Sequence, residues 1–179
     1  MTREQLEHIV RAAAANADTD EIVVVGSQAL LGSVPQPTQE VLVRSMEADV
    51  FPLKFPERSI LIEGAIGEKS VFHESFGYYA HGVAPETAIL PEGWQDRLVP
   101  VRNDNTRGCT GWCLDLHDLA VSKLAAGREK DMEFLRGMRL EGLIDSATLR
   151  TRIKATPFPT KEHAEAATAR CERLLISEE

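Results

Sequence analysis

Apolar positions along the chain fall into two kinds of period. Near the N-terminus Leu6, Ile9, Val10, Ala13 and Ala14 recur at helical spacing, behind Thr2 and Gln5 in capping-box register. Ile22 to Val25 is then a continuous apolar run, the signature of a strand buried on both faces. A short helix from about 28 to 31 follows, and residues 32–44 read as a loop with an extended end. A second strand spans Glu47 and Asp49. Pro52 and Pro56 end it and open a helix near 57–66, on which Ile60, Leu61 and Ala65 form an apolar stripe. The aromatic stretch 70–83 alternates weakly and predicts a hairpin, and 97–102 and 111–114 predict further short strands.

The last third is helical. Asp115 is placed to cap a helix that runs to Ala126 and stops at Gly127. A second helix covers about 129–140, with Phe134, Leu135 and Met138 facing inward. Ser146 is placed to cap a third, and Thr160 begins a final amphipathic helix reaching about Leu175. This order of elements predicts an α+β fold. Its mixed sheet and flanking helices occupy residues 1–114, and a helical segment over 115–179 packs on that core as one unit.

Two short motifs carry the chemistry. Gly26-Ser27 follows the first strand, where Gly26 permits a sharp turn and a close backbone approach. Ser27 is placed to cap the next turn of helix, whose free N–H groups attract phosphate. An ordinary strand-to-helix turn has the same residues. Glu47 and Asp49 stand two apart, so on a strand both carboxylates face one side. They repel unless a cation lies between them, and oxygen donors with open water positions suit Mg²⁺ bridging to phosphates. A solvated strand face is the plain alternative. His73, His81 and His117 make no ligand spacing and read as structural or surface groups; Trp94 and Tyr78-Tyr79 read as packing.

Composition narrows the class. A chain of 179 residues can bury a sizeable core without staples. A formal net charge of −8 argues against a generally basic nucleic-acid surface, though not against a local patch. Cys109, Cys113 and Cys171 form no metal-binding spacing, Cys-x₃-Cys being only a weak hint, and read as reduced thiols; with a polar N-terminus and no apolar run of spanning length, they predict a cytoplasmic protein with no membrane span.

The Gly-Ser turn followed by an acid-x-acid strand resembles the nucleotidyltransferase superfamily of the polymerase-beta type. The segment from Leu114 to Asp131, with Lys123, Arg128, Lys130 and Asp131, is similar to a block in bacterial nucleotidyltransferase-like proteins related to the abortive-infection AbiE-type toxins. The runs Phe72-His73-Glu74, Gly93-Trp94 and Arg97 to Pro100 also resemble an uncharacterised bacterial branch of that group. The resemblance covers roughly residues 20–140. It implies a nucleotidyltransferase-like mixed sheet and a site in which Glu47 and Asp49 hold Mg²⁺, or Mn²⁺. Gly26 and Ser27 would cradle a nucleoside triphosphate, Lys123 and Arg128 would neutralise it, and Asp131 would orient them. The implied acceptor is a tRNA or protein hydroxyl, with an antitoxin as partner. By residue type alone, the four charged residues of that block are also explained as solvated helix charges pairing along the surface.

This chain departs from the superfamily pattern in three respects, one being a gap from Ser27 to Glu47 longer than in the tightest members, with Pro35 and Pro37 between. Glu47 stands where Asp is usual. A third carboxylate has no clear place, with Glu74, His73 and Asp96 as competing candidates. The last two departures motivate an alternative reading, a catalytically inactive member retained as a protein- or nucleotide-binding module.

Overall fold

The computed structural model describes residues 1–176. Helix α1 (Arg3–Ala17) begins at the expected capping box: the Thr2 hydroxyl accepts from the Gln5 N–H, and the Gln5 amide oxygen accepts from the Thr2 N–H. Its buried side is Leu6, Ile9, Val10, Ala13 and Ala14, the helical-period set. Five strands follow: β1 (Glu21–Val24), β2 (Glu47–Pro52), β3 (Tyr79–Gly82), β4 (Val99–Val101) and β5 (Thr110–Cys113). They form one sheet in the order β3-β2-β1-β5-β4. β1 pairs antiparallel with β2 and parallel with β5, β2 pairs parallel with β3, and β4 closes the far edge antiparallel to β5. The mixed sheet with flanking helices is the α+β architecture expected.

The central strand explains the apolar run. Ile22, Val23 and Val24 are each fully buried, because both faces of β1 are covered. Burial of such a side chain is worth about 1.5–3 kcal/mol. On one side, α1 packs against α4 (Ser59–Ile66) and the strands β1 and β2. Elsewhere α6 (Leu116–Ala126) lies against the turn after β1 and gathers α7 (Glu129–Leu140), α8 (Ser146–Lys154) and α9 (Lys161–Ile176) around it. The Asp115 carboxylate accepts from the His117 N–H, and Gly127 ends α6 in the left-handed conformation, both as expected. No helix among the described residues is long and apolar enough to cross a membrane.

Several expectations are corrected. Residues 32–44 are not loop with an extended end: α2 (Leu30–Ser33) runs into them and α3 (Glu40–Val43) forms a helical turn, with Leu42 buried against α7. The hairpin expected over 70–83 is a helix and one strand. Ser70 caps α5 (Val71–Phe76) by accepting from the His73 N–H, Gly77 stops it at positive φ, and β3 follows. The aromatic residues that suggested strand pack as a cluster instead, with His8, Phe72, Phe76 and Tyr78 in mutual ring contact. On α4 the buried positions are Ile62 and Ile66, whereas Ile60 and Leu61 are exposed. Asp145 rather than Ser146 caps α8, accepting from the Thr148 N–H.

Candidate active site

β1 ends at the Gly-Ser turn and β2 lies beside it, hydrogen-bonded from the Val25 N–H to the Asp49 carbonyl at 3.0 Å. Alternation along β2 buries Ala48 and Val50 and turns Glu47 and Asp49 to the opposite side. The two acids therefore share a face, as their spacing required. Gly26 has an ordinary extended φ of −82°, so its backbone does not demand glycine. The demand is steric: a Cβ there would lie 2.8 Å from Asp49 Cγ and closer still to Oδ2.

Ser27 does not cap a helix. Gly26 holds the cap position, and residues Ser27–Ala29 form a 3-10 turn leading into the four-residue α2. So short a segment has little of the helix dipole invoked for phosphate. Instead the Ser27 hydroxyl accepts from Lys123 Nζ at 2.8 Å. Lys123 comes from α6, is nearly buried, and stands 3.4 Å from Asp131 on α7. Burial lowers the Lys123 pKa, against the opposing charges of Asp131 and Asp49.

Asp131 organises this corner. It is 1% exposed and accepts from Arg128 three times: from the backbone N–H at 3.2 Å, from Nε at 2.7 Å and from Nη2 at 3.2 Å. Burial would raise its pKa, but the Arg128 hydrogen bonds and the Lys123 and Arg128 charges outweigh that and hold it below the usual carboxylate range. The sharp stop at Gly127 is what brings α6 and α7 into this contact. Asp49 goes the other way. Burial and the neighbouring Glu47 raise its pKa, and His81 and Lys123 offset that only in part.

These groups surround one cleft of 420 Å³, lined by Ser27, Glu47, Asp49, Lys123, Arg128, Lys130 and Asp131. That lies within the roughly 300–1,000 Å³ range of small-molecule sites. A smaller chamber of 270 Å³ adjoins it, sharing Asp49, Thr87, Lys123 and Arg128 and lined further by Gly26, Ala88, Ile89, Ala125, Ala126 and His163. All seven residues singled out from the sequence thus come together: Gly26, Ser27, Glu47, Asp49, Lys123, Arg128 and Asp131.

The sequence reading missed two groups, and none of its three candidates for a third acid joins them. His81 is exposed, as a surface group should be, yet it faces the acids: its Nδ1 lies 3.1 Å from Asp49 Oδ1 and 3.9 Å from Glu47 Oε1. One donor atom each from Glu47, Asp49 and His81 lies within 4.8 Å of the others. Tyr79 donates its hydroxyl to Glu47 Oε2 at 2.9 Å, and burial plus that carboxylate push its pKa up to about 12. Glu74 sits exposed on α5, outside this group, and neither His73 nor Asp96 enters it. His73 packs its ring on Tyr79, at 4.6 Å between centroids.

The donor set suits a divalent cation. Two convergent carboxylates, one kept from easy ionisation by burial and then by the other, gain most from a positive charge placed between them. Across the cleft a lysine and an arginine offer the charges a polyphosphate would need. Residues 4–173 match the model of a protein family described as "Nucleotidyltransferase of unknown function (DUF6036)". No curated protein and no solved structure matches the chain.

Proposed function

The chain belongs to this family of nucleotidyltransferases of unknown function, and from that premise we propose that it moves a nucleoside monophosphate from a nucleoside triphosphate to a hydroxyl group, using the Glu47–Asp49 face and a divalent cation. The observation that carries the reading is the convergence of Glu47 and Asp49 with Lys123 and Arg128 on one cleft.

In this reading Glu47 and Asp49 hold Mg²⁺ or Mn²⁺. Such an ion supplies charge neutralisation for the attacking and leaving oxygens. Lys123, fixed by Asp131 and the Ser27 hydroxyl, faces the phosphates as a placed positive charge. Arg128, held at its Nε by Asp131, adds a second. Gly26 and Ser27 form the floor along which the phosphates lie. The acceptor oxygen bonds to the α-phosphorus, the bond from that phosphorus to the bridging oxygen breaks, pyrophosphate leaves, and the acceptor proton passes to solvent. Charge builds on the leaving oxygens, and preplaced cations stabilise it without reorganising. The adjoining chamber, apolar at Ala88, Ile89, Ala125 and Ala126, is where the nucleoside fits.

The finer kinship with abortive-infection toxins rests on the Lys123 to Asp131 block. It makes a tRNA or protein hydroxyl the acceptor and an antitoxin the partner. The test is calorimetric titration of the four ribonucleoside triphosphates, with and without divalent cation, on wild type and Asp49→Ala. Cation-dependent binding lost in the variant supports the site and names the base, and a labelled transfer assay with tRNA and protein acceptors follows. Absence of binding to every triphosphate overturns transfer and leaves the inactive binding module.

A further inference from the structure

We propose, resting on the cation-dependent reading above, that His81 is the third protein ligand of the ion held by Glu47 and Asp49, and that its imidazole makes the site select Mn²⁺ over Mg²⁺.

Strand register is the first support. β2 and β3 run parallel with Glu47 opposite Tyr79 and Asp49 opposite His81. Alternation puts these four side chains on one face, while Ala48 and Ala80 between them are buried on the other. The individual atoms are the second. Tyr79 occupies Glu47 Oε2, and Asp49 Oδ2 lies over Gly26. That leaves Glu47 Oε1 and Asp49 Oδ1, the two oxygens nearest His81 Nδ1, at 3.9 and 3.1 Å.

Neighbouring ligands at right angles on an octahedral ion of about 2.1 Å bond length are about 3 Å apart. His81 Nδ1 and Asp49 Oδ1, at 3.1 Å, already have that spacing, and Glu47 Oε1, at 3.9 Å from Nδ1, would close by about 1 Å on a bound ion. A proton on Nδ1 satisfies one carboxylate at a time, whereas a cation in its place satisfies both. His81 is half exposed, so water can take its Nε2–H and fix the tautomer that ligates through Nδ1. Mg²⁺ favours oxygen donors, while Mn²⁺ and the later divalent metals also accept imidazole, so one nitrogen among two carboxylates tilts the choice toward Mn²⁺.

The test is Mn²⁺ titration followed by electron paramagnetic resonance, with Mg²⁺ as competitor, on wild type, His81→Ala, His81→Asp and Asp49→Asn. Pulsed spectra of protein carrying ¹⁵N-histidine report whether nitrogen is bound to the ion. Carboxylates alone also favour Mn²⁺, so the diagnostic is dependence on His81. Wild type should show a nitrogen coupling that changes with the isotope and vanishes in His81→Ala. His81→Asp should still bind Mn²⁺ but yield it to Mg²⁺ at roughly 10-fold lower excess. A wild-type spectrum without nitrogen coupling overturns the proposal, as does unchanged selectivity in His81→Asp. If Asp49→Asn loses Mn²⁺ while both His81 variants behave as wild type, only the His81 assignment falls. If wild type and Asp49→Asn bind Mn²⁺ equally weakly, the cation-dependent reading falls with it. Circular dichroism of each variant separates ligand loss from unfolding.

Discussion

The carboxylate of Asp49 occupies the space that a side chain on Gly26 would need, since a Cβ at 26 would stand 2.8 Å from Asp49 Cγ. Asp49 lies on β2 and Gly26 in the turn after its antiparallel neighbour β1, so that turn passes directly beneath the acid face. Gly26→Ala should therefore push Asp49 out of line with Glu47. Because the Gly26 φ of −82° suits alanine, the backbone should survive, at a cost of about 1–3 kcal/mol for overpacking. Divalent-cation affinity should fall by about 10-fold or more, read by titration beside a circular dichroism melt. Full affinity in a folded variant would detach Gly26 from this role.

Asp49 predicts a pH effect of definite sign. Its pKa in the cation-free protein is raised, chiefly by burial and then by Glu47. The native state thus holds a proton that the unfolded chain has already released. Stability from this group is lost as pH rises from the ordinary aspartate range through the raised value, and stays lost above it. At pH 7 in the presence of chelator, Asp49→Asn should melt higher than wild type, by about 2–4 °C for each 1 kcal/mol relieved. Adding Mn²⁺ should stabilise wild type and not the variant. Cation affinity in wild type should tighten with rising pH across the same window, because ion and proton compete for one carboxylate. A variant that melts lower at pH 7 would count against strain at this face.

The parts of this site that could be read from the sequence are those set by local spacing. Glu47 and Asp49 share a face because strands alternate. Lys123 meets Asp131 because Gly127 breaks two helices at one corner. His81 escaped because what brings it to Asp49 is the parallel register of β2 with β3, reached only after α4 and α5 have crossed. No window of neighbouring residues contains that pairing. The α5 segment was legible in principle, with Ser70 and Gly77 as its start and stop, but its aromatic content pointed to strand. Ser27 lines the cleft but not as a helix cap, since its partner is a lysine about a hundred residues away.

The thiols offer a check on packing independent of the site. Cys113 on β5 and Cys171 on α9 are buried, and burial pushes their thiols up to about 12 and about 11. Cys109 is partly exposed. Native protein should react promptly at Cys109 alone with an aromatic disulfide reagent, and at all three cysteines once denatured. Prompt modification of Cys113 would mean that β5 is not seated between β1 and β4.

Asp131 should matter more to the cleft than its distance from the acid pair suggests. It is the buried counter-charge of Lys123 and the anchor of Arg128, so Asp131→Asn leaves the Lys123 ammonium desolvated with only Asp49 to answer it. Removing one partner of such a buried pair typically costs about 3–5 kcal/mol. The pH signature follows from the depressed pKa of Asp131: its contribution is full above the ordinary aspartate range and is lost as pH falls through the lower folded value. Urea denaturation at neutral pH should show the full deficit in Asp131→Asn, and the gap to wild type should close on strong acidification. Double substitution Lys123→Met with Asp131→Leu should recover much of the stability, because the unpaired charge is gone. The same double variant should bind triphosphate weakly at every pH, since the charge facing the phosphates has been removed. Stability restored together with normal triphosphate binding would show that the pair holds α6 against α7 and takes no part in the cleft.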